Sequence, residues 1–269
     1  MATLRHVMSQ AQQLWPAELA EEWDSIGLVC GDPAQEVDTI LFCVDPTHAV
    51  IDEALAHHAQ LIIAHHPLYL QGVSGVGADT YKGSIVHRLI QNGIALYTAH
   101  TNADSAANGV SEQLIELCGV ENSEPLVPSA VNPHLGLGRV GDLPEPVTLA
   151  QFSQHLADEL PVRVGGIRVA GDNTKEIKRV AVCGGAGDSL FDAVKASAAD
   201  VYVTSDLRHH PALEATQNST VALIDTAHSA SEGIWLPAAA EEFAQLGYTS
   251  FVSTENSDPW DTLIVQSGE

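Results

Sequence analysis

The segment Leu61-Ile62-Ile63-Ala64-His65-His66-Pro67-Leu68 decides how the rest of the chain reads. Four apolar residues, β-branched in the middle, predict a short buried strand. Two histidines follow at its carboxyl end, and Pro67 stops regular structure from continuing. In open α/β sheets, ligand sites collect outside the carboxyl ends of strands, and imidazole is the commonest metal-ligating side chain. The pair can turn two rings toward one site, although successive strand side chains normally diverge.

Working outward, residues 39–44 read as a buried strand closed by Asp45-Pro46-Thr47, and residues 49–58 read as a helix. Strand, helix and strand make a βαβ unit, hence a parallel pair with a right-handed crossover. Downstream, residues 72–80 form a glycine-rich loop, 84–91 a helix and 94–98 another strand, which runs into Ala99-His100-Thr101-Asn102-Ala103-Asp104. Residues 110–118 predict a helix ended at Gly119. Upstream, Leu4, Val7, Met8, Ala11 and Leu14 space an amphipathic helix over 4–19, and a further strand ends at the turn Gly31-Asp32-Pro33.

Residues 121–147, rich in Pro, Gly and Glu, read as a connector. Gly136-x-Gly138-x-x-Gly141 matches a dinucleotide fingerprint there. No strand is predicted before it, and Pro144 and Pro146 stand where the helix should start, so the match carries no nucleotide site. Thr148 caps a helix over 148–159. The second half then repeats the first: a strand at 179–184, a helix at 190–197, a strand at 199–204, and His209-His210-Pro211. Thr226-Ala227-His228 matches Thr98-Ala99-His100, and each of these last histidines has an acid four residues on, Glu232 and Asp104. The expected fold is therefore α/β, with two similar lobes from an internal duplication, 1–125 and 126–269, and a dinuclear metal site in the cleft between them. The run Gly184-Gly185-Ala186-Gly187-Asp188-Ser189 reads as a tight strand-to-helix turn before it reads as an anion nest.

Composition bounds the function. In 269 residues, 45% are hydrophobic and 17% charged, the balance of an ordinary globular chain. Thirty-five acids against 11 Lys+Arg give a formal charge of −24, which repels nucleic-acid backbone and anionic membrane surfaces. The four cysteines, Cys30, Cys43, Cys118 and Cys183, form no Cys-x-x-Cys pair, and Cys43 and Cys183 sit in apolar runs as small core residues. The first residues lack the apolar core of a signal peptide, so a cytoplasmic location is expected.

Helical spacing would turn His228 and Glu232 the same way, as a two-donor platform. Two or three histidines with two carboxylates, one of them bridging, suit a pair of divalent ions about 3.5–4 Å apart, which lower the pKa of a shared water and clamp an anionic or carbonyl substrate. Mixed nitrogen and oxygen donors favour Zn, Fe, Mn, Co or Ni over Mg or Ca without choosing among them.

Five ordered stretches carry a resemblance: Glu22-Trp23-Asp24-x-x-Gly27-Leu28, Val44-Asp45-Pro46-Thr47, Ala64-His65-His66-Pro67-Leu68, His100-Thr101-Asn102-x-Asp104 and His228-x-x-Ser231-Glu232. Together they resemble the GTP cyclohydrolase I type 2 (Nif-three-like) family of dinuclear-metal proteins. The resemblance implies a duplicated α/β fold, a homohexameric ring, and two metal ions held by His65, His66, Asp104, His228 and Glu232, with Glu232 as the bridge. Ser205 stands where the family commonly has Gly, and Ala227 precedes His228 where Gly is usual. The larger members carry an extra domain between the halves, for which this chain is too short. The implied activity is a metal-dependent hydrolysis of a nucleotide-like small molecule, of the GTP ring-opening type, with His100, His209 and His210 placed to shuttle protons or to orient ligands. The competing reading is a non-catalytic metal-binding ring acting as a regulatory adaptor or metallochaperone. A purely structural metal site fits less well, because structural zinc prefers four closed ligands rich in Cys.

Overall fold

Three parallel strands, Thr39–Cys43, Leu61–Ala64 and Ala95–Thr98, pair in register so that Cys43 stands beside Ala64 and Ala64 beside Thr98. They belong to the computed structural model of the chain, which describes residues 2–265. A fourth parallel strand, Thr249–Val252, lies beside Thr39–Cys43, and the antiparallel strand Gly27–Cys30 closes the other edge. The helices His48–Ala56 and Tyr81–Gln91 make the crossovers. Each starts at a threonine whose hydroxyl accepts from the first turn, Thr47 from the Val50 N–H and Thr80 from the Gly83 N–H. They bury Val50, Ile51, Ala54, Ile85, Val86 and Leu89 against Leu41, Ile62 and Leu96, each large side chain contributing about 1.5–3 kcal/mol of hydrophobic free energy.

A second sheet has the order Ser123–Pro128, Gly136–Thr148, Glu176–Ala186, Val201–Ser205, Ala222–Thr226, Arg168–Ala170. Its Glu176–Ala186, Val201–Ser205 and Ala222–Thr226 strands are parallel, and its outer strands antiparallel. Helices Val110–Leu117 and Leu149–Glu159 bury Leu114, Ile115, Phe152 and Leu156 against Val180, Val182, Val201 and Ile224. The latter helix opens on a full capping box between Thr148 and Gln151. The order of helix, antiparallel edge strand and three parallel strands occurs in both sheets.

The compact units follow the sheets rather than a single break in the sequence. One holds the residues up to Gly109 together with Trp235–Ser257; the other holds Val110–Ile234 and the residues from Asp258. The boundary drawn at 125/126 is therefore displaced. Helix Val110–Leu117 buries its apolar face on the second sheet. Residues 235–257 return to the first unit through a buried aromatic cluster: Trp15 meets Trp235 edge to face at 5.1 Å and Phe243 at 5.7 Å, and Phe243 meets Phe42 at 5.6 Å.

The expected connector at 121–147 is corrected by the structure, because most of it is sheet. Pro125 and Pro128 are tolerated on an edge strand, where a missing N–H breaks no central ladder. Pro144 and Pro146 sit in a bulge, with residues 143–146 opposite Lys178 between the pairs Asp142–Arg179 and Val147–Ile177. The three glycines of the fingerprint serve strand packing: a Cβ on Gly136, whose φ is +149°, would lie 2.1 Å from the Val127 carbonyl oxygen, and one on Gly141 2.5 Å from that of Asn122. Arg139 is buried beside them, donating to the carbonyls of Gly136 and Gly138 and pairing with Glu112 at 3.5 Å. Cys43 and Cys183 are buried, as their apolar runs imply. Among the described residues no helix is long and apolar enough to cross a membrane.

Gly136→Ala should lower stability by at least about 2 kcal/mol, from the positive φ and the close carbonyl together. Urea unfolding followed by far-UV circular dichroism checks this, and an unchanged midpoint would remove the packing role assigned to this glycine.

Candidate metal centre

In the first unit the aligned strand ends deliver the site residues. Because Cys43, Ala64 and Thr98 are neighbours across the sheet, Asp45, His65, His66 and His100 all emerge at one carboxyl edge. His65 and His66 donate their backbone N–H groups to the carbonyls of Cys43 and Val44, both at 2.9 Å, before Pro67 turns the chain away. The strand has ended at Ala64, so strict alternation no longer applies, and the two imidazole centroids stand 5.2 Å apart. His100 joins them, its ring 5.2 Å from His65 and 5.7 Å from His66. One ligand atom from each of the three histidines lies within 4.8 Å of the others, a group able to hold a metal ion.

The ring orientations follow from what each Nδ1 meets. His65 Nδ1 donates to the Ala99 carbonyl at 3.0 Å, His66 Nδ1 to Asp45 Oδ1 at 2.7 Å, and His100 Nδ1 to Asp24 Oδ1 at 2.8 Å. An acceptor opposite Nδ1 keeps the proton there and makes Nε2 the ligating nitrogen. Asp24 also accepts from the Thr101 N–H at 3.0 Å and from the Thr101 hydroxyl. Burial pushes its pKa up, but the bonds from His100 and Thr101 outweigh burial and hold it at about 2. Asp104 is buried on the short helix Thr101–Ser105, which starts beyond His100, and its Oδ1 lies 3.7 Å from His65 Nε2. Asn102 fixes the same turn, accepting from the His100 N–H and donating to the Trp15 carbonyl.

In the second unit the register sets Ser205 beside Thr226, so Asp206 and His228 also follow adjacent strand ends. Residues His228–Gly233 are helical as the four-residue spacing requires, and His228 Nε2 lies 2.9 Å from Glu232 Oε1. His228 Nδ1 donates to Asp206 Oδ2 at 2.7 Å, the same device as on His66 and His100. Gly185 forms the floor: its φ is +65°, and a Cβ there would lie 2.4 Å from Glu232 Oε1 and 3.2 Å from His228 Nε2. A side chain at this position would fill the space where the two donors converge. Below it, Ser231 Oγ accepts from the Gly185 N–H at 3.0 Å and donates to the His228 carbonyl at 2.9 Å. Ser205 Oγ stands between Ser231 Oγ at 3.0 Å and Thr226 Oγ1 at 2.9 Å, all buried.

The donor chemistry fits divalent transition metals: imidazoles anchored through Nδ1, buried carboxylates, and a glycine floor that leaves room beside them. Within the first unit Asp104 stands beside His65 at 3.7 Å, and within the second Glu232 stands beside His228 at 2.9 Å. His100, expected to shuttle protons or to orient ligands, stands among the metal-capable histidines of the first unit. His209 and His210 start the helix His209–Asn218, exposed and edge to face with one another at 5.1 Å. Among the described residues neither belongs to a metal-capable group. Sequence reasoning gave no role to Asp24, Asp45 or Asp206. The available signal was position, since Asp45 and Asp206 each stand just past a buried strand.

A family model described as Duf34/NIF3 (NGG1p interacting factor 3) matches residues 2–259. A Streptomyces coelicolor protein named GTP cyclohydrolase 1 type 2 homolog is 45% identical, with 99% of this chain and 96% of that protein covered. A Mycobacterium tuberculosis protein of the same name is 36% identical, with 96% of each covered. The crystal structure of a Bacillus cereus protein related to NIF3 superposes with a TM-score of 0.89 at 25% identity, covering 97% of this chain and 99% of the other. The chain belongs to the Duf34/NIF3 family.

Proposed function

We propose that this protein is a divalent-metal-dependent hydrolase with a dinuclear centre, acting on a nucleotide-like heterocycle in a ring opening of the GTP cyclohydrolase type. The observation that carries the reading is the repeated Nδ1 restraint: His66, His100 and His228 each donate to a carboxylate and His65 to a backbone carbonyl. Four imidazoles each anchored by an acceptor at Nδ1 are more than packing alone needs, and they are the arrangement that metal-ligating histidines commonly show. The name borne by the Streptomyces and Mycobacterium relatives supports the substrate class.

In this reading His65, His66, Asp104, His228 and Glu232 would hold the metal, Glu232 being the residue the resemblance assigns to both ions. Divalent ions bound there would supply a water activated at neutral pH and a clamp on an anionic or carbonyl group. Asp45, Asp24 and Asp206 orient the rings of His66, His100 and His228. His100 holds and passes a proton at Nε2 while Asp24 fixes its other nitrogen. Gly185 keeps side chains out of the space beside Glu232.

Protein purified without added metal should carry about two transition-metal ions per chain, falling in His65→Ala and in Asp104→Ala when measured by elemental analysis. No stoichiometric metal in wild type, even after reconstitution, would overturn the reading. Glu232→Gln should lose one ion of the two with an unchanged circular dichroism spectrum; full occupancy of both would remove the bridging assignment. Hydrolysis of GTP by the loaded protein should stop on chelation and return with one metal.

A further inference from the structure

Of the four tryptophans, Trp15 and Trp235 are buried in the aromatic cluster of the first unit, and Trp260 stands exposed in the terminal segment of the other unit. Trp23 differs from all three. It is 57% exposed, yet its ring meets His100 edge to face at 6.0 Å, with His100 itself in the metal-capable group. An indole left half in water forgoes most of the hydrophobic free energy that burial would give it. The chain on either side of it is nevertheless held by hydrogen bonds. The Glu21 N–H donates to Thr101 Oγ1 at 3.0 Å, the Asp24 N–H donates to the Glu21 carbonyl at 3.0 Å, and the Asp24 carboxylate accepts from His100 and Thr101. The turn that orients His100 therefore also holds a flat, exposed aromatic ring beside it. An exposed aromatic ring on a hydrogen-bonded turn beside a metal-capable group is suited to bind a planar heterocycle, because stacking on a base carries about 1–3 kcal/mol, or roughly 5- to 150-fold in affinity.

We infer that Trp23 is the ring-recognition residue of this site, stacking on the planar heterocycle of a nucleotide-like substrate whose reacting part lies toward His65, His66 and His100. The inference deepens the proposed hydrolase reading and rests on it for the choice of substrate class. Trp23 binds ring and not phosphate, so its removal separates the two halves of a nucleotide.

The test uses metal-loaded protein and two probes, guanosine 5′-monophosphate and ribose 5-phosphate, with dissociation constants from calorimetry and metal content measured on the same samples. Trp23→Ala should weaken the nucleotide about tenfold or more and Trp23→Phe by less than about threefold, with ribose 5-phosphate binding and metal content unchanged. In a Trp260→Phe background the nucleotide should quench the remaining exposed tryptophan fluorescence, and ribose 5-phosphate should not. Equal weakening of both probes, no effect on either, or no nucleotide binding by metal-loaded wild type would overturn the inference. A wild type that prefers the nucleotide through Trp23 yet holds no stoichiometric metal would support it while the hydrolase reading fails.

Discussion

The hydrogen bond from an imidazole Nδ1 to a fixed acceptor is the constraint on which both donor groups depend. A neutral imidazole has two tautomers and can flip about its ring axis, so an unrestrained histidine presents the wrong nitrogen for much of the time. Asp24, Asp45 and Asp206 remove that freedom at His100, His66 and His228 at 2.7–2.8 Å, and the Ala99 carbonyl removes it at His65 at 3.0 Å. Bonds to charged acceptors contribute about 1.5–3 kcal/mol each, enough to hold a ring against rotamer entropy. Asp24 shows the balance most clearly, since the bonds from His100 and Thr101 outweigh the burial that opposes its charge.

Strand register is the scaffold for that constraint. In the first unit Cys43, Ala64 and Thr98 align, and three loops leave the sheet side by side carrying Asp45, His65 with His66, and His100. A one-residue slip in any of these pairings would exchange the two faces of a strand and move its histidine away from the others. The runs Ile40 to Phe42 and Leu61 to Ile63 are fully buried, so a slip would force differently shaped side chains to repack on both faces of the sheet. Core packing and site geometry are thus one requirement.

Much of this was legible in the sequence. Short β-branched runs separated by ten-residue helices announced parallel βαβ units, and a polar His-His pair after a buried run announced a site at the strand ends. The four-residue spacing of His228 and Glu232 needed only a helix to bring them together. What stayed hidden was set by tertiary pairing. Pro125, Pro144 and Pro146 made residues 121–147 read as a loop, although an edge position and a bulge absorb all three. The boundary at 125/126 missed the return of Trp235–Ser257 because Trp15, Phe42, Trp235 and Phe243 meet only in the folded chain. The carboxylate behind each histidine lies 21, 76 and 22 residues away in sequence, beyond any local pattern.

The hydroxyl chain beneath Glu232 explains how a site can be acidic without destroying its own donor. Gly185 must turn with a positive φ to leave space beside Glu232 and His228, and that turn directs its N–H inward, where it needs an acceptor. A carboxylate there would satisfy the N–H but would add a second negative charge near Glu232 and disfavour its ionised form. Ser231 accepts the bond without charge, donates its own O–H to the His228 carbonyl, and is backed by Ser205 and Thr226. Ser205, which stands where glycine is usual in the resemblance, therefore adds a neutral hydroxyl to the floor rather than disrupting it. The second unit thus supports Glu232 from below with hydroxyls that carry no charge and keeps the Asp206 carboxylate for the far side of His228.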